Sequence, residues 1–265
     1  YQISSYNYDR SPIVVGLVAV FGLALILIGG WQGLRAFARL VFTFVNIVFL
    51  LLPLVLKGVP AIPLTLILIT LTSAICYYLI GGWQPKTIGA SLGCLCGVGF
   101  AAIFGAIASS MTHITAYQMD EAEALLLLMA DTDLKLDGLF LSGILIATIG
   151  AVMDIAMSVA SAMDEIKVKK PEISTKELFV SGMKIGRDAT GTMANTLVLA
   201  FAGASLNMML LIYSYDVSYN QLMNTDFIVI EVVRGIAGSM GIIMTVPSVA
   251  FLTAMILNKQ KKCTK

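Results

Sequence analysis

Charge is what this sequence has least of: Asp, Glu, Lys and Arg make up 12% of its 265 residues, against about a quarter in soluble domains. With 58% apolar residues and a mean hydropathy of +0.90, that scarcity excludes a soluble globular domain. The chain reads as an all-α, polytopic transmembrane helical bundle with membrane lipid as its first partner. Histidine is nearly absent. The single His113 lies in a polar stretch, and one imidazole without companions makes no metal site. Cys76, Cys94, Cys96 and Cys263 have no metal-ligand spacing with it, and three of them lie in apolar runs as small buried residues. No Ser–His pair, nucleotide loop or cofactor motif is present, so no enzyme activity, cofactor or metal is expected. The net charge of +1 is segregated by loop, which leaves no footprint for nucleic acid.

The opening YQISSYNYDRSP has neither Met nor the basic head and apolar core of a signal peptide. Residues 1–11 are read as an extracytoplasmic lead-in from an upstream region, and 12–265 as a single transmembrane domain.

Long apolar runs are what the chain has in abundance. A crossing takes about twenty such residues, and seven candidates appear: 12–29, 36–56, 60–82, 87–109, 138–163, 189–213 and 227–257. Pro53, Pro60 and Pro63 bracket the turn between the second and third, where a lost N–H costs least. Arg35 and Arg39 follow the first span, Lys86 the third, and Lys167, Lys169, Lys170, Lys176, Lys184 and Arg187 the fifth. Lys259, Lys261, Lys262 and Lys265 form the tail. Alternate loops are acidic, with Asp120, Glu121, Glu123, Asp131, Asp133 and Asp137 in one and Asp216 and Asp226 in another. The positive-inside rule then places the N-terminus outside and the C-terminus in the cytoplasm, in what is expected to be a bacterial cytoplasmic membrane.

Within 110–137, AEALLLLMA is too short to cross and predicts a helix at the outer interface or against the bundle. Residues 164–188 are expected to form the cytoplasmic linker, with a capping box of Ser174 and Glu177 heading the amphipathic STKELFVSGMKI. Gly89, Gly93 and Gly97 recur every four residues. They predict a groove that a helix of this chain or of a partner approaches closely. Gly235, Gly238 and Gly241 precede Pro247, where a kink or partial unwinding is expected.

Into this apolar background come a few polar groups. Asp154, Ser158, Ser161 and Glu165 share one face of the fifth span, and Thr192, Asn195 and Thr196 one face of the sixth. Counted from Asp164, Asp154 lies roughly 14 Å deep; counted from Arg187, Asn195 lies roughly 12 Å deep. The spans run antiparallel, so Asp154 is expected to meet Asn195, with Thr192 level with Ser158. A carboxylate in lipid is costly unless protonated or paired. No cation is expected at that depth, since Arg187 is near the interface and Lys184 can snorkel out. Asp154 is therefore the candidate proton carrier, tuned by Asn195, Thr192 and Ser158; the alternative is a polar contact that glues two helices. Arg187 and Asp188 at the head of the sixth span, and Glu231 and Arg234 three residues apart in the seventh, are secondary candidates. An intramembrane aspartyl hydrolase would need a second carboxylate at the level of Asp154, and Asp188 lies too near the interface.

With these residues in hand, the chain resembles the YibE/F family of membrane proteins. DRSP, GGWQGLRA, GAVMDIAMSVASAMDEI, GRDATGTMANTLVLAFAGASL and RGIAGSMGIIMTVP carry the likeness. More distantly, the carboxylate helix, charged linker, Thr/Asn-rich helix and Gly-rich span ending SMGIIMTVPSVAF are similar to a half-unit of the RND superfamily, especially its SecF branch. That likeness implies an RND-half-like core with the third and fourth spans as an inserted helical hairpin. It implies a second related half-unit as partner, in a homo- or hetero-oligomer. The expected activity is a proton-coupled secondary permease or export subunit acting on an unknown small molecule or ion. The alternative is a non-transporting scaffold or partner subunit that anchors or regulates an extracytoplasmic domain.

Overall fold

Every long apolar run becomes a helix, and no strand occurs among the described residues. In lipid, a chain has only its own hydrogen-bond ladder to satisfy backbone N–H and C=O groups. The computed structural model describes residues 10–82, 84–119, 122–215 and 218–263. Most of the expected lead-in, with Asp120, Glu121, Asp216 and Lys265, lies outside the described residues.

Helix α1 (Ser11–Asn46) runs into a π-helical turn (Ile47–Leu51) and then α2 (Leu52–Leu56). Pro53 has no N–H to return to the preceding turn, and the widened turn lies directly ahead of it. Helix α1 is not straight. Gly30 has φ 54° and ψ −133°, outside helical values. A Cβ on Gly22 would lie 2.9 Å from the Phe37 ring, and one on Gly33 would run into the Leu25 carbonyl. Along a continuous helix, Gly22 and Phe37 would stand about 22 Å apart. The chain therefore doubles back at Gly30, and residues 11–29 lie against 31–46.

Helix α3 (Ala61–Gly81) follows the Pro60 turn, and α4 (Pro85–Thr112) begins on a proline, the residue that suits a first helical position. The short α5 (Ala122–Asp131) is the run too brief to cross; its Leu125 and Met129 pack on the cluster around Leu51 and Val55. Helix α6 (Leu139–Lys169) is the centre of the bundle, burying Ile144, Leu145, Val152, Ile155, Val159 and Met163. Tyr77 of α3 donates its hydroxyl to the Met153 carbonyl at 3.1 Å. Helices α7 (Thr175–Ala204) and α8 (Leu206–Ser214) meet at 59°. After α9 (Tyr219–Met223), α10 (Asp226–Cys263) closes the fold, uninterrupted through Pro247. Five stretches are long and apolar enough to cross a membrane, Ser11–Leu56, Ala61–Leu79, Pro85–Thr112, Leu139–Lys169 and Asp226–Lys259, with the bent α7–α8 pair as a sixth. The chain is an integral membrane protein.

The expected linker over 164–188 is mostly helical. Helix α6 continues to Lys169 and α7 starts at Thr175, so only 170–174 connects them. The capping box on Ser174 and Glu177 starts α7. No proline then stops it, and Gly182 and Gly186 are held against neighbouring side chains. Lys167 fastens the connection, donating to the Pro171 carbonyl at 3.0 Å, the Ile173 carbonyl at 3.3 Å and Asn258 Oδ1. Asn258 Nδ2 in turn donates to Thr175 Oγ1 at 3.0 Å. Lys86 pairs with Asp164 at 3.0 Å close by.

Candidate functional site

Because α6 turns its apolar face to the core, Asp154 and Ser158 are left on its outer side. The second arm of α1 passes there. Gln32, Arg35, Ala36 and Arg39 of that arm, with Asp154, Met157, Ser158 and Ser161 of α6, line an open groove of about 430 Å³. Arg39 Nη2 approaches Asp154 Oδ1 to 3.3 Å, with 23% of the arginine side chain and 54% of the aspartate side chain exposed. The carboxylate thus has a cationic partner and open space beside it.

The expectation that no cation reaches Asp154 is corrected by Arg39. Grouping Arg35 and Arg39 with the basic residues that follow the first span sets them at the interface, although the second span at 36–56 already includes Arg39. The reversal lies at Gly30, so Arg39 is nine residues, about 13 Å, along the returning arm. That matches the ten residues between Asp154 and Asp164. A signal existed: Gln32, Arg35, Arg39, Thr43 and Asn46 recur at three- and four-residue steps, one face of a helix.

Asn195 and Thr192 are not brought to Asp154. A Cβ on Gly182 would meet Met163, and one on Gly238 would meet both Leu197 and Thr148. That register sets Gly191, rather than Asn195, level with Asp154, and Arg187 level with Ser158. Helix α7 buries Leu178, Gly182 and Gly186 and leaves Arg187, Asp188, Thr192 and Asn195 on its exposed face. Among the described residues, neither Thr192 nor Asn195 bonds to Asp154, and Arg187 and Asp188 form no ion pair. Of the four proton-coupling candidates, only Ser158 shares the groove with Asp154.

Glu231 and Arg234 pair at 2.8 Å, with the guanidinium 5.6 Å from the Phe140 ring centre, a favourable cation–π distance. Glu231 Oε2 is buried without a hydrogen-bond partner among the described residues, beside an apolar recess lined by Val198, Phe201 and Met209. The glycine stripe faces α10: a Cβ on Gly89 would lie 3.0 Å from Thr253 Cα, on Gly93 2.7 Å from Val249 Cα, and on Gly97 3.0 Å from the Gly241 carbonyl oxygen. That groove is filled by this chain's own helix. Among the described residues no group of three His, Cys, Asp or Glu is placed to hold a metal. At the head of α7, the Ser174 N–H and hydroxyl, with Lys170 further off, hold the Glu177 carboxyl below its ordinary range.

Compared with known proteins, residues 17–259 match the family described as YibE/F-like protein. No curated protein and no solved structure matches the chain.

Proposed function

The chain belongs to the YibE/F-like family, and from that premise we propose that it is a proton-coupled secondary permease or export subunit. The observation that carries this reading is the Arg39–Asp154 pair in its open groove. A proton reaching Asp154 through the groove neutralises the carboxylate and releases the guanidinium; losing that proton restores the attraction. Ser158 and Ser161 offer hydroxyls beside the same carboxylate, suited to both its charged and neutral forms.

Two features support a seven-crossing topology. Residues 11–29 and 31–56 count as two crossings because of the reversal at Gly30, and α7 with α8 as one bent crossing. An outside N-terminus and a cytoplasmic C-terminus agree with Lys86, Lys167, Lys169 and Lys170 gathering at one end of the bundle. An RND-half-like core with α3 and α4 as the inserted hairpin, in a bacterial cytoplasmic membrane, completes the proposal.

The test is proton flux into liposomes holding the protein, followed by an internal pH dye under an imposed gradient. Asp154→Asn is expected to abolish the flux. Flux that survives this change removes the mechanism. A scaffold that uses the same pair as a static clamp instead predicts no flux from the unaltered protein and retained binding of an extracytoplasmic domain by Asp154→Asn.

A further inference from the structure

Helix α7 sends its polar residues away from the bundle. Arg187, Asp188, Thr192, Asn195 and Thr196 are exposed, and nothing stands within 4 Å of where a Cβ would be on Gly191 or Gly203. The Thr196 hydroxyl is satisfied within the helix by the Thr192 carbonyl at 2.8 Å. Among the described residues, the Asn195 amide, the Thr192 hydroxyl and the charges of Arg187 and Asp188 have no partner. Depth makes this consequential. Gly182 packs on Met163, beside the Lys86–Asp164 pair that marks one end of the bundle. Asn195 is thirteen residues further on, roughly 20 Å along the helix. A primary amide turned to acyl chains there is costly, so something polar covers it.

We infer that a second copy of this chain docks on this face, α7 beside α7. Two identical chains inserted the same way round, related by an axis along the membrane normal, set each residue opposite its own copy at one depth. Every polar group on the face suits that arrangement. An amide both donates and accepts, so Asn195 can pair with Asn195 of the partner subunit; a threonine hydroxyl can do the same. Arg187 meets Asp188 of the partner subunit, and the reverse. Gly191 and Gly203 let the two backbones approach. On the exposed face of α6, by contrast, Asp154 already has Arg39 of its own chain as partner and calls for no second copy. The inference stands on the chemistry of α7 and does not depend on proton coupling.

The test is a cysteine scan of the full chain through residues 187–199 and at 143, 147 and 150 of α6, with Cys96 and Cys263 replaced and the buried Cys76 and Cys94 kept. The protein is reconstituted at a low protein-to-lipid ratio and oxidised. Covalent dimers are expected at 188, 192, 195 and 199, and not at Met193 or Leu197, which pack into the bundle. In the unlinked protein, Asn195→Ala weakens association roughly threefold to twentyfold, and Asn195→Gln preserves it. Three results overturn the proposal: a monomer at every position, cross-links at 143, 147 and 150 of α6 in place of α7, or labelling of 192 and 195 by a water-soluble thiol reagent without dimers. The last would identify a water-filled vestibule.

Discussion

Arg39 Nη2 lies 3.3 Å from Asp154 Oδ1, so a single contact joins the returning arm of α1 to the middle of α6. Both side chains retain access to the groove, which limits the pair to about 1 kcal/mol of stability. Arg39→Gln and Asp154→Asn are each expected to lower thermal stability by about that much. The double variant should fall short of the sum, because neither single change leaves a partner for the remaining charge. Thermal unfolding of the four proteins in one detergent measures this, and fully additive losses would deny the pair.

Gly30, with φ 54° and ψ −133°, holds a backbone conformation that side chains resist although nothing crowds it. Gly30→Ala should destabilise by about 1–3 kcal/mol. The neighbouring Gly29→Ala, in helical backbone with open space around it, should be neutral or stabilising. Unfolding midpoints for the two variants decide the matter, and equal effects would contradict the reversal.

Gly93 offers a contrast, since its obstacle is backbone. A Cβ there would lie 2.7 Å from Val249 Cα and 2.9 Å from its nitrogen. Gly93→Ala must therefore push α4 and α10 apart, at a cost of about 1–3 kcal/mol. Gly99→Ala, with open space, should gain roughly 1 kcal/mol from helix propensity alone. Thermal melts of the two alanine variants should move in opposite directions.

Acid should loosen the start of α7. The Glu177 carboxyl sits below its ordinary value of 4.5, held first by the Ser174 N–H, then by its hydroxyl and by Lys170. A depressed folded value stabilises the capped helix above the ordinary value, and that contribution is lost as pH falls through the lower one. A spin label near Thr175 should report rising mobility as pH drops through that window. In Glu177→Gln the mobility should already be higher at neutral pH and change little on acidification.

Local chemistry was readable from the sequence where it is spelled in adjacent residues. Ser174 and Glu177 at cap spacing open α7, and AEALLLLMA makes the short α5. The partner of Asp154 was hidden for a geometric reason. Depth is counted from a turn, and grouping Arg39 with the basic residues that follow the first span, although the second span at 36–56 includes it, left its depth uncounted. The rotation of α7 was hidden differently. Its buried face is made at two positions by Gly182 and Gly186, which carry no hydrophobic signal, so spacing could group Thr192 with Asn195 but could not aim them. The repeat of Gly89, Gly93 and Gly97 likewise announces a groove without saying that α10 occupies it.

Lys167, spanning the short connection and Asn258, binds one end of α6, α7 and α10 together. Three rods gripped at a common end have no hinge there, so they travel as one chassis. The long first helix is the opposite case, with only 6% of its most apolar window covered and an elbow at Gly30. In the permease proposed above, the working stroke is the slide of that loose limb along a stationary body, with Arg39 and Asp154 as the latch across the seam.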